Sequence, residues 1–575
     1  MSPSQLRTPA RRLPSSGSYA WPIDAPIRRP MARSHVWWNR ALIIGAVVAL
    51  VSGAAFAVSS GGVRSKSGTV SRRSTGRSRH FQRRVEVHAA RAARPGAAVR
   101  SENARAGTDG WQISNGDDKP RPIEGFADHV SAQRGDRIRL YVTTRAPSFR
   151  VEAYRTGWYH GIGARLIWES APAAGRAQPP CAVLAPTRTV DCFDWAPSLS
   201  LRIGQQWVPG QYLLKLVQPD GGASFVPLVI RDDHSHAAIV VIASVTTIEA
   251  YNGWGGYSLY GDSTGRSRNR ATIVSFDRPF GGWANSGFVL GDTYELAQMA
   301  ESQGMDVTYA TDLDVHRHPE LLDNHHVVIS GAHDEYYSLE MRNGLQAARD
   351  HGVNIIFLGA NAVYRRIRLE PSALGADRLE VNYRSAALDP LTRSDPSRAT
   401  TNWGDPPAAQ RPSTLTGTTY ECNQAGLSAD MVVVDASAWM FQGTGVTDGE
   451  HLPGMVRDEY DRLIPSRDTP PGAEVLTHSP LTCRGRQSWS DMAYYGAPSG
   501  AGVVDVGTLM FEPHLGPLCA PADLTAVHWE CQLRQTVNNI VTEFARGPAA
   551  TRRPPHSNVE RLGILRLPTS SIANE

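Results

Sequence analysis

The period of the hydrophobic pattern changes near residue 236, and that change limits what the chain can fold into. Before it, Asp136-Arg-Ile-Arg-Leu-Tyr-Val-Thr-Thr, Ser148-Phe-Arg-Val-Glu-Ala-Tyr and Gly210-Gln-Tyr-Leu-Leu-Lys-Leu-Val alternate apolar and polar residues. A period of two marks strands with one buried face, and short strands separated by turn residues predict a β-sandwich. After it, Ala237-Ala-Ile-Val-Val-Ile-Ala-Ser-Val, His326-Val-Val-Ile-Ser-Gly and Asn354-Ile-Ile-Phe-Leu-Gly are continuous apolar runs, as expected of strands buried on both faces. Helical stretches at 293–303 and 338–351 lie between them, and Ser338 with Glu340 suits a helix N-terminus. Strand–helix alternation predicts an α/β region with a mainly parallel sheet. Residues 365–470 read as loop-rich, and an amphipathic helix is expected near 531–545.

The N-terminal part is of another kind. Residues 1–105 carry 19 Lys+Arg against Asp24, Glu86 and Glu102, a net of +16, so the remainder of a chain with 59 basic and 55 acidic residues has a net of −12. A nucleic-acid-binding protein would place its basic surface on the folded part, so no nucleic acid partner is expected. Residues 41–58 are uncharged and apolar or small, at the lower limit for a bilayer span, with Trp37 and Trp38 at the interface position. They predict a single membrane helix with the C-terminal domains extracellular; the alternative is a signal peptide cut near Ala57 and a secreted product. The expected organisation is a basic cytoplasmic tail at 1–40, a transmembrane or signal segment at 41–60 and a disordered basic linker at 61–107. A β-sandwich at 108–234, an α/β domain at 235–547 and a disordered tail at 548–575 follow. The linker offers a surface for an anionic envelope polymer, or is a spacer and nothing else.

Cys181, Cys192, Cys422, Cys483, Cys519 and Cys531 all follow the linker. An even count without a Cys-x-x-Cys pair suits disulfides in an oxidising compartment. Local pairing predicts 181–192 and 519–531 and leaves 422–483.

Ligands of an open α/β sheet gather at the carboxyl ends of its strands. Two loops there carry chemistry, Glu249-Ala-Tyr-Asn-Gly-Trp-Gly-Gly-Tyr-Ser-Leu-Tyr and Gly331-Ala-His-Asp-Glu-Tyr-Tyr-Ser. The elbow position between strand and helix holds His333-Asp-Glu rather than a serine or cysteine flanked by glycines, which argues against a serine or cysteine nucleophile. His333 and Glu335, with phenols from Tyr251 and Tyr257, form a hard donor set that suits Fe(III) better than zinc. The alternative is a carboxylate stabilising the following helix end beside a hydrogen-bonded histidine. His316, His318, His325 and His326 read as loop histidines rather than a zinc site. Tyr154-Arg-Thr-Gly-Trp-Tyr-His-Gly-Ile-Gly reads either as a sugar-stacking platform or as a hairpin packed on the next domain.

Several runs resemble the large (β) subunit of N,N-dimethylformamidase and its relatives. They are Tyr154-Arg-Thr-Gly-Trp-Tyr, Ala250-Tyr-Asn-Gly-Trp-Gly-Gly-Tyr-Ser-Leu-Tyr, Ser275-Phe-Asp-Arg-Pro-Phe, His333-Asp-Glu-Tyr-Tyr-Ser, Gly359-Ala-Asn-Ala-Val-Tyr and Asp491-Met-Ala-Tyr-Tyr-Gly-Ala-Pro-Ser-Gly-Ala-Gly, in order over roughly 120–545. The resemblance implies a β-sandwich followed by a glutamine-amidotransferase-like α/β domain. It implies a mononuclear iron held by two tyrosines and a glutamate, with a histidine nearby. Carried onto this chain, the ligands are Tyr212, Tyr251 and Glu335 and the histidine is His333. His333 or Asp334 would move protons to the leaving amine, and Asn252 would donate to the oxyanion. The expected activity is hydrolysis of a small amide or amide-bearing substrate by an exported or membrane-anchored enzyme. The competing expectation is a non-catalytic envelope protein, such as a carbohydrate binder, on the same fold.

Overall fold

The computed structural model describes residues 97–113, 121–281, 293–331, 333–466, 468–519 and 529–564. Two sheets pack face to face in the N-terminal half. One has the order Ile123–Ala127, Arg137–Thr144, Leu199–Arg202. The other runs Ser131–Ala132, Ala223–Ile230, Gly210–Val217, Ser148–Thr156, Ala164–Glu169. Along Arg137–Thr144 the pleat turns Ile138, Leu140 and Val142 inward and Arg137 and Arg139 outward. The inward set meets Val151, Leu214, Leu216, Val226 and Leu228 of the second sheet in one apolar cluster.

The second half is built on a seven-stranded sheet with the order Val307–Thr311, Ile239–Ala243, Val327–Ser330, Asn354–Phe357, Gly502–Asp505, Arg486–Gly496, Glu474–Cys483. Its first five strands are mutually parallel, and the last two join it through antiparallel pairings. Elsewhere, Thr419–Val432 pairs with His451–Arg462, and Ile273–Ser275 joins Arg368–Ser372 and Gly375–Val381, all antiparallel. The expected α/β class with a mainly parallel sheet is therefore corrected to mixed sheets with many antiparallel strands. The cause is local. Arg484 and Gly485, with φ of 49° and 78°, join Glu474–Cys483 to Arg486–Gly496 through a two-residue turn. Such a turn leaves no room for a crossover helix and fixes the pair as antiparallel.

Among the described residues no helix is long and apolar enough to cross a membrane, and the membrane helix expected at residues 41–58 lies outside them. Part of the expected linker is ordered. Ala97–Asn103 is a helix, and its Asn103 Nδ2 donates to Glu301 Oε2 at 2.6 Å. Part of the expected tail is packed: Asn558 exchanges hydrogen bonds with the main chain of Val475, and Ile564 joins an apolar cluster. Three disulfides, Cys181–Cys192, Cys422–Cys483 and Cys519–Cys531, close the loops as the pairing argument required.

The halves are joined by a buried ion pair. Arg155 Nη2 lies 2.6 Å from Glu301 Oε1, and both side chains are fully buried. Arg155 also donates to Pro209 O and to Tyr159 Oη, while Glu301 accepts from Tyr309 Oη. Burial of two charges is tolerable only when hydrogen bonds satisfy both, as here. The Tyr154-Arg-Thr-Gly-Trp-Tyr run is thus a junction, with Tyr154 and Tyr159 buried in it.

Candidate active site

The strand Ile239–Ala243 leads through Ser244 into the helix Val245–Tyr251, and the chain then loops to Tyr260. One guanidinium holds this loop. Arg278, from the Ser275-Phe-Asp-Arg-Pro-Phe run, pairs with Glu249 at 2.6 Å, both fully buried. It also donates to the carbonyl oxygens of Asn252, Trp254 and Tyr257. Tyr257 therefore contributes its main chain to the loop's scaffold. Asn252 is spent on the same scaffold: its Nδ2 donates to Glu249 Oε2 and Pro279 O, and its Oδ1 accepts from the amides of Trp254 and Gly281. With both amide hydrogens engaged, Asn252 is a loop brace and not the oxyanion donor expected of it.

The second loop follows Val327–Ser330. Its backbone is clamped by the Gly359-Ala-Asn-Ala-Val-Tyr turn: Val363 N donates to Asp334 O, and Tyr364 N and Arg365 N to Glu335 O. The turn places Asn361 and Val363 at φ of 59° and 56°. For a β-branched residue this is a strained conformation, held by the surrounding hydrogen bonds. From the other side Thr247 Oγ1 accepts from Glu335 N at 2.9 Å.

Four side chains meet between these loops. Tyr251 Oη lies 3.1 Å from His333 Nε2 and donates to Glu335 Oε2 at 3.2 Å. Tyr260 Oη donates to the same Glu335 oxygen at 2.6 Å, and the rings of Tyr251 and Tyr260 stack with centroids 4.0 Å apart. Arg365 Nε binds Glu335 Oε1 at 3.0 Å. Beyond His333 lies Glu459, whose Oε2 is 3.6 Å from Nε2. Glu459 accepts from Asn361 Nδ2 at 3.0 Å and Asn423 Nδ2 at 2.6 Å.

The electrostatics follow from burial and neighbours. Burial would raise Glu335, but Arg365, His333 and the Tyr260 hydroxyl outweigh it and hold the carboxyl below its ordinary range. Burial, and then the charge of Glu335, push the Tyr251 and Tyr260 phenols well above their ordinary value. Burial raises Glu459 too, with His333 the strongest opposing influence.

The residues expected at the site are thus partly assembled. Tyr251, His333 and Glu335 come together. Tyr212 does not: it lies in the sandwich core, stacked on Trp207, with its hydroxyl donating to Val208 O at 2.8 Å. Its inward position follows from the period-two pattern of Gly210–Val217. Tyr260 stands at Glu335 instead. Asp334 lies beside the site with Oδ2 accepting from Ser330 and Tyr337. His316, His325 and His326 are dispersed, bonding Ser338 Oγ, Ala237 O and Ala545 O respectively. Sequence reasoning missed Tyr260, Arg365, Asn361, Asn423 and Glu459. Tyr260 and Asn361 stood inside motifs already singled out; Glu459 and Asn423 stood in the loop-rich stretch with no pattern to flag them.

Among the described residues no group of three or more His, Cys, Asp and Glu side chains is placed to hold a metal ion. With phenols included, the oxygens of Tyr251, Tyr260 and Glu335 converge, a set of hard oxygen donors of the kind that suits a trivalent iron.

A comparison with curated proteins gives no match. A family model does match: N,N-dimethylformamidase beta subunit-like, C-terminal, over residues 150–523, more than half of the chain. That interval contains both loops, the Arg278 brace and the hairpin bearing Glu459. The chain therefore belongs to the N,N-dimethylformamidase beta subunit-like family.

Proposed function

We propose that this protein hydrolyses carbon–nitrogen bonds of amides at the Tyr251–Tyr260–Glu335–His333 cluster. The observation that carries the reading is the convergence of two buried phenol oxygens on one carboxylate oxygen, with an imidazole alongside, in a chain of this family. Tyr251, Tyr260 and Glu335 are the residues that would hold an iron ion. When bound there, a trivalent cation supplies Lewis acidity toward a carbonyl oxygen. Arg365 keeps Glu335 in place by occupying its other oxygen.

The chain's own groups divide the proton work. Glu459, oriented by Asn361 and Asn423, accepts a proton from the attacking water. Water oxygen bonds to the amide carbon, the carbon–nitrogen bond breaks, and the same proton passes to the departing amine. The products are a carboxylic acid and an amine. His333, between Glu459 and Tyr251, has its Nδ1 at 3.3 Å from Ala360 O, so Nε2 is the ring atom turned to the reaction. Three disulfides support an exported protein, since such bonds persist in oxidising compartments.

The test is release of dimethylamine from N,N-dimethylformamide by the purified full chain, with Glu459→Gln as the variant. Loss of a general base lowers kcat by about 100-fold or more. Inactivity of the iron-loaded wild type, or full activity of the variant, would refute this assignment.

A further inference from the structure

Beside the cluster the chain gathers three arginines and little to neutralise them. Arg384 lies over the ring of Tyr260 at 4.3 Å from its centroid, while Tyr251 stacks on that ring at 4.0 Å, so the ring is held between them. Arg384 also reaches Leu259 O at 3.1 Å and Tyr336 Oη at 3.5 Å. Arg365 is the partner of Glu335 and packs on Tyr364 at 4.8 Å. Arg270 completes the group: it precedes Ala271, which packs in one apolar cluster with Tyr251, Tyr260 and Tyr336. The charges of Arg384 and Arg365 act on it directly.

The group is unbalanced in hydrogen bonds as well as in charge. The Arg270 side chain makes no hydrogen bond or ion pair with the described residues, and its buried Nε is without an acceptor. The buried Nε of Arg384 is also without an acceptor. Buried donors normally find partners, and those left over point to a ligand. The carboxylate acting most strongly on Arg365 and Arg384, Glu335, already serves Arg365 and both tyrosines. Guanidinium groups do not lose their charge in proteins, so the excess persists at every working pH. All three arginines remain partly open to solvent. Planar forks of this kind match a carboxylate, with two parallel hydrogen bonds from one group.

We propose that Arg270 and Arg384, with Arg365 at their edge, bind a carboxylate of the substrate, so that the preferred substrate is an amide bearing a carboxylate close to the scissile bond. This rests on the amide-hydrolase reading for the word amide, and on the arginine group alone for the word carboxylate. A carboxylate seated there is one tyrosine ring away from Tyr251. N-acyl amino acids, which carry the two groups one carbon apart, have the required shape.

Two measurements on the full-length protein separate the claims. Calorimetric titration with acetate should show saturable binding that Arg270→Gln weakens about tenfold or more, the loss of a charge-assisted hydrogen bond. Arg270→Lys, which keeps the charge and loses the fork, should fall between. Steady-state hydrolysis should give N-formylglycine a higher kcat/KM than N,N-dimethylformamide, and Arg270→Gln should cut that ratio about tenfold through KM. Absence of acetate binding, or binding unchanged in Arg270→Gln, overturns the pocket even if both amides are cleaved. Acetate binding that depends on Arg270, with neither amide cleaved, leaves the pocket standing and sinks the hydrolase reading. Tighter binding of inorganic phosphate than of acetate would assign a phosphorylated ligand and overturn the carboxylate.

Discussion

Arg278→Met should damage stability and activity through separable routes. In the folded protein the guanidinium is fully buried, 2.6 Å from Glu249, and donates to three carbonyl oxygens of the loop that carries Tyr251 and Tyr260. Removing one partner of a buried ion pair costs about 3–5 kcal/mol, because the other charge is left uncompensated. That is a large share of the roughly 5–15 kcal/mol by which a domain is stable. Urea unfolding followed by fluorescence measures the loss. The double variant Arg278→Met, Glu249→Leu removes both charges and should recover most of the stability, since apolar replacements of buried pairs are often neutral. It should not recover activity. The carbonyls of Asn252, Trp254 and Tyr257 still lack their donor, and displacement of catalytic groups by about 1 Å costs on the order of 100-fold in rate. A loss below about 1 kcal/mol in the single variant would refute the reasoning. Activity returning in step with stability in the double variant would refute it as well.

The remaining predictions concern the groups around that loop. The Cys422–Cys483 bond closes a segment with a sequence separation of 61, and Cys422 precedes Asn423, which orients Glu459. Serine at both positions should cost about 4 kcal/mol by the chain-entropy argument and lower kcat more than it raises KM, measured by urea unfolding and steady-state kinetics. Asp505, fully buried and sharing a hydrogen bond with Asp461, is pushed up from 3.8 to about 7, chiefly by burial. The folded state then holds a proton that the unfolded chain has released. Its contribution to stability is complete below about pH 4 and lost as the pH rises toward 7. Asp505→Asn should flatten the fall in melting temperature across that interval, and an unchanged slope would contradict the shared-proton picture. Arg155→Met, which strands Glu301 at the junction, should cost about 3–5 kcal/mol in urea unfolding.

Parts of this architecture were legible from residues alone. The run Ala237–Val245 reads as a strand buried on both faces, and Ile239–Ala243 within it is that strand, while Ser338 caps the helix Leu339–Asp350 by accepting from Met341 N. The His333-Asp-Glu loop was found because it follows such a strand. What escaped was set by tertiary pairing. The apolar runs of the second half do not say that Arg486–Gly496 returns beside Glu474–Cys483; the two left-handed residues Arg484 and Gly485 say it, and only one of them is a glycine. Tyr212 fitted the expected spacing, yet its strand's alternation turns it into the sandwich core. Tyr260 reaches Glu335 because Arg278 folds the intervening loop, an ion pair between residues 29 apart. Glu459 lies on a hairpin that neither apolar period announces, and it is brought to His333 by a disulfide and two asparagines far from it in sequence.

The central claim is that Tyr251, Tyr260 and Glu335 form one metal-holding set, and metal analysis of the purified full chain with its tyrosine variants tests it most directly. One iron per chain and a visible tyrosinate-to-iron band are expected, both lost in Tyr260→Phe and Glu335→Ala and both kept in Tyr212→Phe. Iron lost from Tyr212→Phe but retained by Tyr260→Phe, or a metal-free wild type whose unfolding is indifferent to added iron, would contradict it.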